Sequence, residues 1–381
     1  MSARRPRVVL ATEASGGGVG RHVLDLAEGL PSRGFDVLLL HARRRLGEGF
    51  AERVERHREF GYAVAEVDVA RSPGLGDVRA TRAMRGAVRA FGGADVLHGH
   101  SSKAGALARL GRMGVARRVV YTPNGWYTQN AELKRTGYEA YRAVELGLSL
   151  MTDAIVSVSS DEREHAVGLG IASRKLVLIE NGIEPWSDER VAGVRRAARA
   201  RLDVGEDDVV VGFLGRLAPQ KAPEVALRVF QRVLAASPNA RPVMVGDGPL
   251  APQVRDSLAA LGLADRVRWL PDAYGPDTIP AFDIFLMTSI YEGFPYTLLE
   301  ALSSSCAIVT TRVAGVAESV VDGVNGHVVD GLDDAALAAH VIALCADRDR
   351  LQKMRGASRE RASLYTLDRM VDKTAALYRS L

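Results

Sequence analysis

Val209-Val210-Val211-Gly212-Phe213-Leu214-Gly215-Arg216-Leu217-Ala218-Pro219-Gln220-Lys221 is a short apolar run that stops at a glycine and opens onto two cations. An apolar run with no polar alternation fits a strand covered on both faces, as in a parallel sheet. Similar runs follow at 242–245, 267–270, 284–287 and 307–310, with helical stretches between most of them. An earlier series lies at 7–11, 37–40, 95–98, 119–121, 154–158 and 177–179. Strands alternating with helices in two series, parted near Pro185, predict an α/β chain of two doubly wound Rossmann-like domains.

The bulk composition agrees. A chain of 381 residues holds two domains of ordinary size, and 47% hydrophobic with 25% charged residues is a globular balance. Its apolar stretches are too short to span a bilayer. Nothing at the N-terminus reads as a signal peptide, so a cytoplasmic protein is expected. Cys306 and Cys345 follow no metal-ligand spacing and read as buried free thiols. Net charge is +4, unevenly placed: residues 1–184 hold 27 Lys/Arg against 21 Asp/Glu, and the rest 23 against 25. That excess includes Arg43-Arg44-Arg45 and a series, Arg79, Arg82, Arg85 and Arg89, at helical spacing. The series is either a solvated helix face or a patch for anionic headgroups or a phosphate-bearing acceptor. The second reading would bring the protein to the inner face of the plasma membrane as a peripheral partner. Nucleic acid is not expected, because no aromatic residues interleave with the cations.

Ligands of doubly wound sheets collect at the carboxyl ends of the strands, and the candidate residues cluster there. Gly16-Gly17-Gly18-Val19-Gly20 follows the first strand and lets backbone approach a ligand. It lacks the spacing and the distal acid of a nicotinamide fingerprint. Asp95-Val96-Leu97-His98-Gly99-His100 puts two histidines at a strand end, with His100 expected clear of the strand. Arg216 and Lys221 could hold a diphosphate. Glu292-Gly293-Phe294-Pro295 precedes an apolar helix that carries Glu300. Helix amides suit phosphate oxygens, and carboxylates suit sugar hydroxyls. No Asp-x-Asp stands at a strand end, so the cations and the helix N-terminus would neutralise phosphates without metal. A site in a cleft between the domains is the natural expectation. Leu367, Met370, Val371, Thr374, Tyr378 and Leu381 form an apolar stripe that a terminal helix must bury.

Over its whole length the chain resembles the family 4 retaining glycosyltransferases of GT-B fold. The resemblance rests on Gly16–Gly20, His98 to Lys103, Glu180-Asn181-Gly182-Ile183, Gly215-Arg216-Leu217 with Gln220-Lys221, Gly246-Asp247-Gly248-Pro249, Glu292 to Glu300, and Val321 to His327. It implies transfer of a hexose or N-acetylhexosamine from a nucleoside-diphosphate sugar, with a UDP-linked donor expected, to a hydroxyl acceptor in glycan, exopolysaccharide or natural-product biosynthesis. It implies no cofactor and no metal. Arg216 and Lys221 would bind the diphosphate, and Gly246 and Leu298 would border the donor. Glu292 would contact the sugar, with the amides of Gly293 and Phe294 nearby, and Glu300 would take the ribose. His100 would touch the sugar near its 6-position, and Gly17, Gly18, His22 and Asn124 would border the acceptor. The acceptor is left open between a lipid-linked glycan and a small soluble molecule. The terminal helix, 366–381, would cross back onto the N-terminal domain of 1–184, and 185–365 would form the nucleotide-sugar domain. Asn124 stands where relatives often have His, Ser303 to Cys306 replaces a segment with Gly before Pro, and Ala314-Gly315 replaces a Gly pair. An epimerase of the same architecture and a silent sugar-nucleotide binder are the alternatives.

Overall fold

The computed structural model describes residues 4–43, 49–60, 62–69, 74–129 and 133–381. It comprises two compact units, 1–181 with 367–381, and 182–366. Arg44 and Arg45 lie outside the described residues; Arg43 pairs with Glu66 at 3.2 Å.

The first unit holds a seven-stranded parallel sheet: β1 Arg7–Thr12, β2 Asp36–Ala42, β3 Ala63–Val67, β4 Ala94–His100, β5 Ala116–Thr122, β6 Ala154–Ser157 and β7 Leu176–Leu178. The order is β3-β2-β1-β4-β5-β6-β7, so the winding reverses between β1 and β4. Apolar strands need cover on both faces, and two clusters of buried side chains supply it. The terminal helix Leu367–Ser380 belongs to this unit and buries Met370, Val371, Ala375 and Tyr378 against one of them. Each large apolar side chain so buried contributes about 1.5–3 kcal/mol. The contact is close: a Cβ on Gly29 would stand 2.6 Å from Val371 Cγ2.

The second unit holds six parallel strands: β8 Val209–Leu214, β9 Ala240–Val245, β10 Arg268–Leu270, β11 Ile284–Met287, β12 Ala307–Thr311 and β13 Gly326–Val329. The order is β10-β9-β8-β11-β12-β13, with the reversal between β8 and β11. Gly212 interrupts the valines of β8 for a steric reason: a Cβ there would lie 2.1 Å from the Phe282 ring. Asp283, just before β11, is 3% exposed. It accepts from Arg195 at 2.6 Å, Arg199 at 3.0 Å and the Val210 amide at 2.9 Å, with Arg355 at 3.3 Å. This knot ties the helices Asp188–Leu202 and Arg348–Ala362 to the sheet. Cys306 and Cys345 are buried free thiols, and burial raises them to about 12 and about 11.

Candidate active site

The Gly215–Lys221 loop leaves β8 and the Ser289–Phe294 loop leaves β11, the two strands that flank the reversal in the second sheet. Such reversals open a crevice outside the carboxyl ends of the strands. The loops are sewn together there. The Ile290 amide donates to Gln220 O at 2.8 Å, and Gln220 Nε2 donates to Tyr291 O at 2.9 Å. Thr288 Oγ1 donates to Lys221 O at 2.9 Å. Lys221 forms an ion pair with Glu292 Oε1, while Gln220 reaches the other carboxylate oxygen at 3.5 Å. Glu292 is 8% exposed and Lys221 17%, so the pair is held in a wall and not at the surface. The Lys221 stem runs along Gly215, whose built Cβ would touch it at 3.5 Å. Arg216 is exposed, and among the described residues its guanidinium has no partner.

Glu292 and Glu300 are not two positions of one helix. Glu292 lies in the loop, and the helix begins at Tyr296 and ends at Ser303, with Glu300 inside it. Both are buried, and a built Cβ on Gly275 would lie 3.8 Å from Glu300 Oε2, toward Leu214 at the end of β8. Leu298 has a fully buried side chain, and its amide donates to Pro295 O at 3.1 Å. The hydroxyls of Ser289 and Thr297 are buried here without a partner among the described residues. Phe294 packs on Tyr365 with ring centroids 5.2 Å apart. Gly315, at φ +81°, must be glycine, since a Cβ would fall 2.2 Å from Phe294 Cδ2. The second glycine of the replaced pair was therefore the one the fold requires. Gly246 has φ +120°, and a Cβ would fall 2.3 Å from Gly215 O, so the loops after β8 and β9 touch.

At the first unit's reversal, β1 and β4 are neighbours, with Thr12 in register with His100. Sequence reasoning missed the group that joins their loops. Glu13 Oε2 accepts from Ser101 Oγ at 2.5 Å and the Ala104 amide at 2.8 Å, at the start of the helix Ser101–Gly111. The signal available was its position one residue beyond a strand end. Ser101 has φ +65° and Asn124, beyond β5, φ +53°; both are sparsely populated conformations of the kind that gather at sites. Asn124 Nδ2 donates to Thr122 O at 3.4 Å. Gly17 and Gly18 are exposed at the start of the helix Gly17–Gly29.

The histidines lie deeper than expected. His100 is the last residue of β4 and wholly buried, not clear of the strand. Its ring lies 4.0 Å from His98 and 5.2 Å from His22, and neither ring nitrogen has a partner among the described residues. His98 shares hydrogen bonds with Tyr378 Oη at 2.6 Å and Thr122 Oγ1 at 2.7 Å. His22 Nδ1 lies 2.8 Å from Asn181 Oδ1. Burial lowers His22 to about 4 and holds His98 and His100 well below the usual imidazole range, so all three are neutral. Among the described residues no three His, Cys, Asp or Glu side chains gather as metal ligands would.

Two doubly wound parallel sheets, each with candidate residues at a winding reversal, define a two-Rossmann protein. Residues 16–186 match the family described as Glycosyltransferase Family 4, and residues 194–361 match Glycosyl transferases group 1. The chain belongs to this group 1, family 4 glycosyltransferase family. It is 32% identical over 301 residues to the D-inositol 3-phosphate glycosyltransferase of Geodermatophilus obscurus, covering 74% of this chain and 66% of that one. It is 30% identical over 240 residues to the protein of the same name from Stackebrandtia nassauensis, covering 60% and 54%. The chain thus spans between about half and two thirds of the length of these relatives. The fold matches Anabaena HepE in complex with UDP at TM-score 0.81 and 19% identity, over 98% of this chain and 100% of that one. The GT-B architecture is therefore established for this chain.

Proposed function

We propose that this chain transfers a hexose or N-acetylhexosamine from a UDP-linked sugar to a hydroxyl, with retention and without a metal ion. The observation that carries this reading is the Lys221–Glu292 pair at the β8/β11 reversal, with the unpaired Arg216 guanidinium on the same loop. One exposed cation and one anchored cation suit a diphosphate that gains charge as it departs. On donor binding Lys221 turns from Glu292 to phosphate, and the freed carboxylate accepts from sugar hydroxyls. Glu300 takes the ribose hydroxyls. On the first unit, Glu13 Oε1 accepts from a hydroxyl of the acceptor other than the attacking one and so orients it. In the retaining step the bond from C1 to the phosphate oxygen breaks. The acceptor oxygen bonds C1 on the same face, and its proton passes to the departing phosphate. HepE, which binds UDP and UDP-glucose, supports the donor class. The inositol phosphate glycosyltransferases support a hydroxyl acceptor.

The test is a hydrolysis screen of UDP-, GDP- and ADP-sugars without acceptor, read by nucleotide release and by the anomer of the freed sugar. Release of UDP with the donor's anomeric configuration is expected. Release of no nucleotide from any sugar would overturn the transferase reading.

A further inference from the structure

A groove of about 520 Å³ runs between the helices Gly76–Ala90, Ser101–Gly111 and Arg135–Ser149 of the first unit. Its volume falls within the roughly 300–1,000 Å³ of small-molecule sites. The walls are apolar: Val78, Leu107, Leu110, Tyr141, Val144 and Leu148 line it. Three of these are left open to water at a cost, with Val78 51%, Leu110 56% and Val144 54% exposed. The charged groups in the lining are cancelled. Lys103 Nζ donates to Asp77 at 2.7 Å, and Arg109 Nη1 donates to Glu145 at 2.7 Å. The greater part of this surface is apolar, with Thr81 and Ser102 as its neutral polar side chains.

One end of the groove lies next in the chain to the β1/β4 reversal. Ser102 and Lys103 line it and directly follow Ser101, which holds Glu13 at the β1/β4 reversal. From there the helix carries the lining residues to Leu110, seven residues on from Lys103 or about 10 Å at 1.5 Å per residue. We propose that the groove seats the hydrocarbon chain of an amphiphilic acceptor whose hydroxyl lies at Glu13. This rests on the transferase reading above and chooses the lipid-linked class over the small soluble one. Of the basic series on Gly76–Ala90, Arg85 Nη1 is turned to the Gly111 carbonyl at 3.2 Å, and Arg79, Arg82 and Arg89 are exposed.

The experiment titrates the full chain with octyl, nonyl and decyl maltoside, each below its micelle concentration, by calorimetry. Saturable one-to-one binding is expected, tightening about fourfold per added methylene, from roughly 0.8 kcal/mol for each buried CH₂. Val144→Asp and, separately, Leu110→Asp should abolish the dependence on chain length while leaving UDP binding intact. Both positions are half exposed, so each variant should fold, and UDP binding reports that it has. Binding that ignores chain length, or that persists in both variants, overturns the proposal. So does binding to phosphatidylglycerol vesicles without binding to the maltosides, which would make the face a bilayer contact. Failure of the sugar-release screen would leave these titrations unchanged, so the two readings fail separately.

Discussion

Lys221 does two things in this structure, and a double-mutant cycle separates them. It compensates the carboxylate of Glu292, which is 8% exposed, and it presents a cation at the edge of the second sheet. In Lys221→Ala, Glu292 keeps, among the described residues, only Gln220 at the long distance of 3.5 Å. Leaving a buried group unsatisfied costs about 1–3 kcal/mol. Water still reaches the pair, so the low end is expected for stability. Loss of a group that stabilises developing negative charge costs about 10²–10³ in turnover, or ~2.7–4 kcal/mol. Adding Glu292→Gln replaces the stranded charge by a neutral amide. Urea unfolding of the double variant should then recover most of the lost stability, while UDP release from the donor stays depressed at least a hundredfold. Lys221→Ala turning over within tenfold of wild type would refute the phosphate role. A double variant that regains turnover would show that Lys221 acts only by compensating Glu292.

Acid should weaken the first unit. His22 titrates at about 4 when folded, against roughly 6.5 for a free imidazole, so the unfolded chain takes up its proton first. This contribution is complete above pH ~6.5 and is lost as pH falls toward 4. Histidine-resolved NMR should show the rings of His22, His98 and His100 not titrating near 6.5, and a ring that does would refute the enclosure. Asp283→Asn should cost the second unit about 3–5 kcal/mol in urea unfolding, because three arginines lose their shared charge; a loss under ~1 kcal/mol would show the knot to be incidental. Donor hydrolysis should survive EDTA, and loss restored by a divalent ion would refute metal-free transfer.

The alternation of apolar strands and helices determined two doubly wound sheets, since a run such as Val209–Leu214 is stable only when covered on both faces. Strand ends are legible for the same reason, and so the places of Arg216 and Lys221 beyond β8 and of Glu292 beyond β11 were legible in the sequence. The terminal stripe was legible as a stripe; its seat against Gly29 and beneath His98 was not. Pairings across the chain were decided by tertiary structure alone. Glu13 and Ser101 stand 88 residues apart and meet only because β1 and β4 are neighbours. His100 looked like a loop histidine, because where a strand ends is set by its neighbours, here Thr12 of β1 and Thr122 of β5. Nothing in the sequence around Asp283 signals the three distant arginines that converge on it. The groove beside Ser102 arises only where three helices that are separate in the sequence come together. Local pattern fixes which elements form and which faces they bury; which side chains share a site depends on strand order, and strand order is a property of the folded chain.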